Sequence, residues 1–141
     1  MTTTTDDTIR DILMSTKVIA LVGWSAKPER PSHGVARYLA QRGYRVIPVN
    51  PGVAGQITSW GEPVRASLAE IDVTVDMVDI FRNSAAVGPV VDEALKDLPG
   101  LKTIWMQLGV INPAAAAKAR QVGLTVVMNR CPAIEIPRLH L

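Results

Sequence analysis

The chain has 141 residues, enough for one domain with its own core, and 48% hydrophobic with 20% charged residues is typical of a globular protein. Its net charge of +2 and its aromatic content of 4% argue against a nucleic-acid-binding surface. No apolar run approaches the ~20 residues of a membrane span, and the polar N-terminus is unlike a signal peptide, so we expect a cytoplasmic protein without membrane contact.

The chain divides into an N-terminal segment and one domain. Residues 1–16 begin with a run of threonines and continue into a short helix with Ile9, Ile12 and Leu13 on one face. We expect this helix to cover one edge of a sheet. Residues 17–141 then form a single domain.

The domain begins with a strand–loop–helix–strand unit at residues 17–51. The β-branched run Val18–Val22 predicts a strand buried on both faces, which Gly23 ends. Helical spacing of apolar residues over 35–41 predicts a helix, and Arg45–Val49 predicts the second strand. This βαβ unit is the mononucleotide-binding half of a doubly wound fold. Its first loop binds anions, because free backbone N–H groups and the positive end of the helix converge there.

Strands and helices continue to alternate along the rest of the chain. Segment 52–61 predicts a loop, 67–71 one helical turn, and 129–141, with its two prolines, a tail that wraps the surface. The alternation predicts an α/β, Rossmann-like, doubly wound and mostly parallel sheet with helices on both faces. The remaining predicted elements are strands at 73–81, 103–108 and 124–128 and helices at 83–98 and 112–123.

The first loop carries two cations but no dinucleotide fingerprint. Ten residues separate Gly23 from the next glycine, whereas G-x-G-x-x-G places its glycines close together. Lys27 and Arg30 lie between them, and Arg30 can hold phosphate oxygens bidentately while Ser25 and Ser32 donate hydroxyls. This pattern favours a ligand with phosphate groups. The alternative is that both cations are solvated loop charges.

The second strand ends in Asn50, where an NAD site carries an acid for the ribose hydroxyls. The missing acid argues against NAD, and no arginine follows at once to favour NADP. A ribose with a 3′-phosphate would also avoid an acid at this position.

Five segments together resemble a known family: GWSAKPERPSHGVARYL, IPVNP, DIFR, WMQLGV and MNRCPAIE. They are similar to the stand-alone CoA-binding proteins, which are relatives of the CoA-binding domain of the succinyl-CoA synthetase α subunit. The resemblance covers residues 9–137 and implies coenzyme A binding. It implies that the loop 23–32 and the turn after the second strand hold phosphates and nucleotide, and that Phe81 and Arg82 line the adenine and pantetheine path. The synthetase's phosphohistidine chemistry belongs to a later domain, so no reaction is implied.

Cys131 follows the last predicted strand on the presumed ligand side. There it could meet the thiol or thioester of CoA, and Arg130 beside it would lower its pKa. The alternative is a packed cysteine. Asp79 is expected to hydrogen-bond backbone near the site, and Glu135 has no evident basic partner. The residues predicted to bind the cofactor are Gly23, Trp24, Ser25, Lys27, Arg30, Ser32, Asn50, Pro51, Phe81, Arg82 and Cys131.

Three hypotheses for function remain. The first is a module that binds CoA or acyl-CoA without catalysis, which the absence of a catalytic triad, a metal-ligand spacing and a second domain favours. The second is an enzyme acting on a CoA thioester or disulfide with Cys131 as nucleophile. The third, an NAD(P)-binding protein, is disfavoured by Asn50 and the missing fingerprint. The acyl group, and whether the chain forms a homo-oligomer or serves a partner enzyme, stay open.

Overall fold

The computed structural model describes residues 4–141, so residues 1–3, with the first two threonines of the N-terminal run, lie outside the described residues. The strands are β1 (Val18–Val22), β2 (Arg45–Val49), β3 (Met77–Ile80), β4 (Thr103–Met106) and β5 (Thr125–Val127). The helices are α1 (Asp6–Ser15), α2 (Pro31–Gln41), α3 (Val87–Asp97), α4 (Pro113–Gln121) and α5 (Pro132–Arg138), and short 3₁₀ helices lie at Pro51–Val53, Leu68–Glu70 and Ser84–Ala86.

All five strands are parallel and form one sheet in the order β2-β1-β3-β4-β5. Apolar residues of α3 and α4 pack on one face, and those of α1, α2 and α5 pack on the other. The predicted Rossmann-like α/β sheet with helices on both faces is therefore confirmed. The strand order changes direction between β1 and β3, the position where open parallel sheets bind ligands.

Two helices differ from the sequence prediction. Helix α2 begins at Pro31 rather than at residue 35, because proline fits the first helical position, where its missing N–H is not needed. The tail does not wrap the surface but forms α5, which Pro132 begins in the same way. The side chain of Ile136 is buried against the sheet, and this contact holds the short helix in place.

An ion-pair network fixes α5. Glu135, which is 4% exposed, accepts hydrogen bonds from Arg130 at 2.9 Å and from Arg138 at 2.8 Å. Arg138 also contacts Asp6 at the start of α1, at 2.8 Å. The expectation that Glu135 lacks a basic partner was wrong: Arg130 lies five residues before it, and Arg138 lies three residues after it, one helical turn away.

The face of the sheet covered by α1, α2 and α5 contains a buried carboxyl group. Asp79 in β3 is fully buried, and neither carboxyl oxygen has a hydrogen-bond partner among residues 4–141. Burial raises the pKa of Asp79 well above its usual value, because an unpartnered carboxylate is poorly solvated there. The expected hydrogen bond between Asp79 and the backbone is therefore absent among residues 4–141. Asp76 makes such contacts instead, accepting from the N–H groups of Lys17 and Val18 at 2.9 Å each.

Replacing the buried acid with an amide should remove a pH dependence of stability. The pKa of Asp79 is raised in the folded state, so above pH ~4 the unfolded chain releases this proton while the folded chain retains it. The free energy of unfolding therefore falls as pH rises from ~4 toward the folded pKa, by up to about 1.4 kcal/mol per pH unit. In urea unfolding, we expect the free energy of unfolding of Asp79→Asn, relative to that of the parent, to rise by at least ~1 kcal/mol from pH 4.5 to pH 7.5.

The exposed Asp72 provides the control for this measurement. Asp72→Asn removes a carboxylate from the surface, and we expect its free energy of unfolding to change between the two pH values as the parent's does. An Asp79→Asn protein that also follows the parent would show that Asp79 titrates normally in the folded chain.

Gly23 follows β1 at a position where both the backbone conformation and the lack of space for a Cβ favour glycine. Its φ is +89°, and an added Cβ would lie 2.2 Å from the carbonyl oxygen of Phe81, which follows the neighbouring strand. The N–H of Gly23 donates to the carbonyl of Val49 at 3.0 Å. The loop thus leaves the sheet in contact with the ends of both neighbouring strands.

Alanine at Gly23 should destabilise the fold through a steric clash as well as through backbone strain. Gly61 separates the two effects, because its φ is +88° and no heavy atom lies within 4 Å of an added Cβ. We expect Gly61→Ala to cost about 1–2 kcal/mol of unfolding free energy from the left-handed conformation alone. Gly23→Ala should cost about 1–3 kcal/mol more, from the displaced backbone. Equal losses in urea unfolding would mean that the backbone near Phe81 moves aside freely.

Candidate functional site

Two adjoining cavities open at the carboxyl ends of β1, β2 and β3, and together we name them the switch-point cleft. Both are lined by Gly23, Asn50 and Phe81, so one ligand can occupy the two. The α3-side cavity, of about 420 Å³, is completed by Val22, Val49, Pro51, Ala66, Ser67, Leu68, Arg82, Val90 and Glu93. The α2-side cavity, of about 370 Å³, is completed by Trp24, Ser25, Lys27, Arg30, Pro31 and Ser32.

The α2-side cavity is suited to anions. Lys27 and Arg30 are exposed at its rim, and neither forms an ion pair within residues 4–141. Helix α2 begins at this cavity, and no side chain caps its N-terminus. Its first backbone N–H groups and the positive end of its dipole therefore add to the two cations.

Hydroxyl groups shape the loop between β1 and α2. Ser32, which is buried, accepts a hydrogen bond from the N–H of Ser25 at 3.0 Å, and Ser25 Oγ accepts one from the N–H of Lys27 at 3.1 Å. His33 Nδ1 lies 2.9 Å from the carbonyl oxygen of Ser25, and its ring stacks on Trp24 with centroids 5.5 Å apart. These contacts hold the loop in one shape, and each hydroxyl keeps its own proton for donation.

Asn50 connects the end of β2 to the first loop. Its Oδ1 accepts from the N–H of Gly52 at 2.8 Å, and its Nδ2 donates to the carbonyl of Trp24 at 2.7 Å. Both polar atoms of the side chain are therefore engaged in loop structure. Pro51 next to it begins a 3₁₀ helix and is exposed.

Cys131 lies outside both linings. It is 5% exposed and occupies the position just before α5. Burial raises the pKa of the thiol, and a hydrogen bond from Gln107 offsets this only in part. Arg130 is paired with Glu135, so the expectation that it would lower the pKa of Cys131 was wrong. The structure brings the other ten predicted binding residues to the cleft, and their role in binding stays a prediction.

The sequence patterns did not identify the outer wall of the α3-side cavity. Ala66, Ser67 and Leu68 belong to the long connection after β2, and Val90 and Glu93 belong to the second turn of α3. None directly follows a strand, so the expectation that ligand residues lie at strand ends omitted them. Their one local signal is the spacing of Val90 and Glu93, three residues apart on one helix face.

Two general features accompany this site. Within residues 4–141 no group of three or more His, Cys, Asp or Glu side chains is placed to hold a metal ion. No helix in the same range has the length and apolar character needed to cross a membrane.

The chain is similar to several known proteins over most of its length. It is 38% identical to the Bacillus subtilis protein YneT over 124 residues, which is 87% of each chain. A solved structure from Thermus thermophilus is 36% identical with a TM-score of 0.89, covering 96% of this chain and 98% of that one. A hypothetical protein from Pyrococcus horikoshii is 39% identical with a TM-score of 0.88, covering 97% and 93%.

More distant structures share the fold. A dinucleotide-forming acetyl-coenzyme A synthetase from Korarchaeum cryptofilum aligns with 78% of this chain and 25% of its own, at 23% identity and a TM-score of 0.64. The family model described as a CoA binding domain matches residues 17–137, almost the whole of the described sheet with its helices. The chain therefore belongs to the CoA-binding domain family.

Proposed function

We propose that this chain is a binding module that holds CoA or acyl-CoA in the switch-point cleft and has no catalytic activity of its own. The observation that carries this proposal is the division of the cleft into a cationic half and a largely apolar half. A nucleotide cofactor with several phosphates needs both kinds of surface, and the two halves share Gly23, Asn50 and Phe81.

The α2-side cavity takes the phosphates in this proposal. Arg30 and Lys27 neutralise them, and the N–H groups at the start of α2 donate hydrogen bonds. Gly23 lines this cavity as well as the α3-side cavity, so the backbone of the first loop lies between the two parts of the ligand. Arg82, at the edge of the other cavity, is placed to meet a further anionic group, and the 3′-phosphate of CoA is the group that NAD lacks.

A non-catalytic role is supported by the state of Cys131. A nucleophilic thiol needs access and a lowered pKa, whereas this thiol is buried and its pKa is raised. The enzyme hypothesis with Cys131 as nucleophile is therefore the weaker one. A free, unpaired thiol also fits a reducing compartment, and we place the protein in the cytoplasm.

A test of ligand choice compares CoA with NAD and NADP at equal concentration. A ligand that binds only the folded state stabilises it by roughly 2.7 kcal/mol at a hundredfold excess over Kd. For a chain of this size that corresponds to a rise in Tm on the order of 10 °C. In a thermal unfolding experiment we expect this rise in Tm with CoA but not with NAD or NADP. Equal rises with NAD would contradict the proposal, since Asn50 offers no acid to the ribose.

The role of Arg30 can be tested with a neighbouring arginine as the control. Arg37 is exposed on α2 but lies outside the cleft. A charged hydrogen bond to phosphate contributes about 1.5–3 kcal/mol, so Arg30→Ala should weaken CoA binding roughly tenfold or more in calorimetry. Arg37→Ala should leave the affinity unchanged, and Arg30→Lys should recover only part of it, because lysine lacks the planar fork.

Equal affinities of Arg30→Ala and Arg37→Ala would identify Arg30 as a solvated loop charge. CoA would then be held by the backbone of the loop and the other cations.

A further inference from the structure

The α3-side cavity contains one carboxylate, Glu93, on a wall that is otherwise apolar or uncharged except for Arg82. Glu93 is half-buried on α3, three residues after Val90 and on the same face of the helix. Its Oε1 accepts a hydrogen bond from the backbone N–H of Leu68 at 2.8 Å. This bond joins α3 to the loop across the cavity and fixes the direction of the carboxylate.

The second oxygen of this carboxylate is available. The bond from Leu68 is the one hydrogen bond that Glu93 receives within residues 4–141, and no cation in that range forms an ion pair with it, Arg82 included. A carboxylate only accepts hydrogen bonds, so Oε2 needs a donor. Water can supply that donor in the free protein, and a ligand that enters the cavity would replace the water with a donor of its own.

The charges of the two cavities fix which end of a nucleotide enters each. Glu93 and Arg82 leave the α3-side cavity without net charge, whereas Lys27 and Arg30 make the cavity on the opposite side of Gly23 and Asn50 net positive and the better place for phosphates. The side chains of Val49, Leu68 and Val90 offer apolar surface for a flat ring. The α3-side cavity therefore suits the base, with its polar edge turned toward α3.

We propose that Glu93 determines the choice of base, with Oε2 accepting a hydrogen bond from the exocyclic 6-amino group of adenine. This inference rests on the proposed function and names the group that reads the base. The amine is a donor and matches the carboxylate. A purine with a carbonyl oxygen at position 6 brings an acceptor against an acceptor and is rejected.

The experiment compares CoA with an analogue in which hydrogen replaces the 6-amino group and nothing else changes. In calorimetry the parent protein should bind the analogue roughly tenfold or more weakly, because Oε2 loses its donor in a partly dried site. Glu93→Gln keeps an oxygen for the N–H of Leu68, so the loop stays in place. With that oxygen on Leu68, the amide Nε2 takes the place of Oε2 and can only donate, so the preference for CoA should fall to within about threefold or reverse.

Asp92→Asn is the matched control, since Asp92 is exposed on the same helix outside the cavity and its removal changes the charge equally. This variant should retain the parent's preference for the amine. Equal binding of CoA and the analogue by the parent would overturn the inference and leave the proposed function standing, as would an undiminished preference in Glu93→Gln. Failure of the parent to bind either compound would overturn the proposed function itself, and the inference with it.

Discussion

The cleft depends on the close contact between the backbone of Gly23 and the carbonyl of Phe81. Strands β1 and β3 are neighbours in the parallel sheet. The chain continues from β1 to α2 on one face of the sheet and from β3 to α3 on the other. A side chain on Gly23 would occupy the space where the two departing loops meet. Gly23 and Phe81 line the cavities on both faces, so a single ligand can reach both.

Loop structure and ligand binding use different groups around this point. The polar side chains of Ser25, Ser32 and Asn50 accept or donate hydrogen bonds within the loops, which holds the backbone in one arrangement before a ligand arrives. The side chains of Lys27 and Arg30 form no hydrogen bonds or ion pairs within residues 4–141. A loop that is ordered in advance loses little conformational entropy on binding, so more of the attraction between cations and phosphates contributes to affinity.

The sequence predicted the parts of this molecule that depend on local pattern. Buried strands are β-branched runs, helices have 3.6-residue spacing, and the predicted helix starts at residues 83 and 112 coincide with the caps Asn83 and Asn112. The first loop and the ends of β2 and β3 follow from the rule that parallel sheets bind at their carboxyl edge. Glu93 could not be predicted in this way, because its importance comes from a tertiary contact with Leu68, twenty-five residues away. The pairing of Arg130 with Glu135, five residues later, was missed because the sequence predicted a tail and not α5 at these residues.

Asp79 shows how the fold keeps negative charge away from the cationic cavity. It lies two residues after Met77 on β3, so its side chain belongs to the face that α2 covers. A carboxylate anion there would oppose the attraction of Lys27 and Arg30 for phosphate, and in a medium of low dielectric constant its effect would be strong. Burial without a partner raises the pKa of Asp79 and so favours the neutral, protonated form, which adds no charge. Glu93 has the opposite environment: it reaches solvent, bonds to a backbone N–H and lies on the other face of the sheet. Lys27 and Arg30 line the α2-side cavity without an acid beside them, whereas Glu93 shares the α3-side cavity with Arg82. This difference in charge is suited to orient a ligand that is anionic at one end and carries a hydrogen-bond donor at the other.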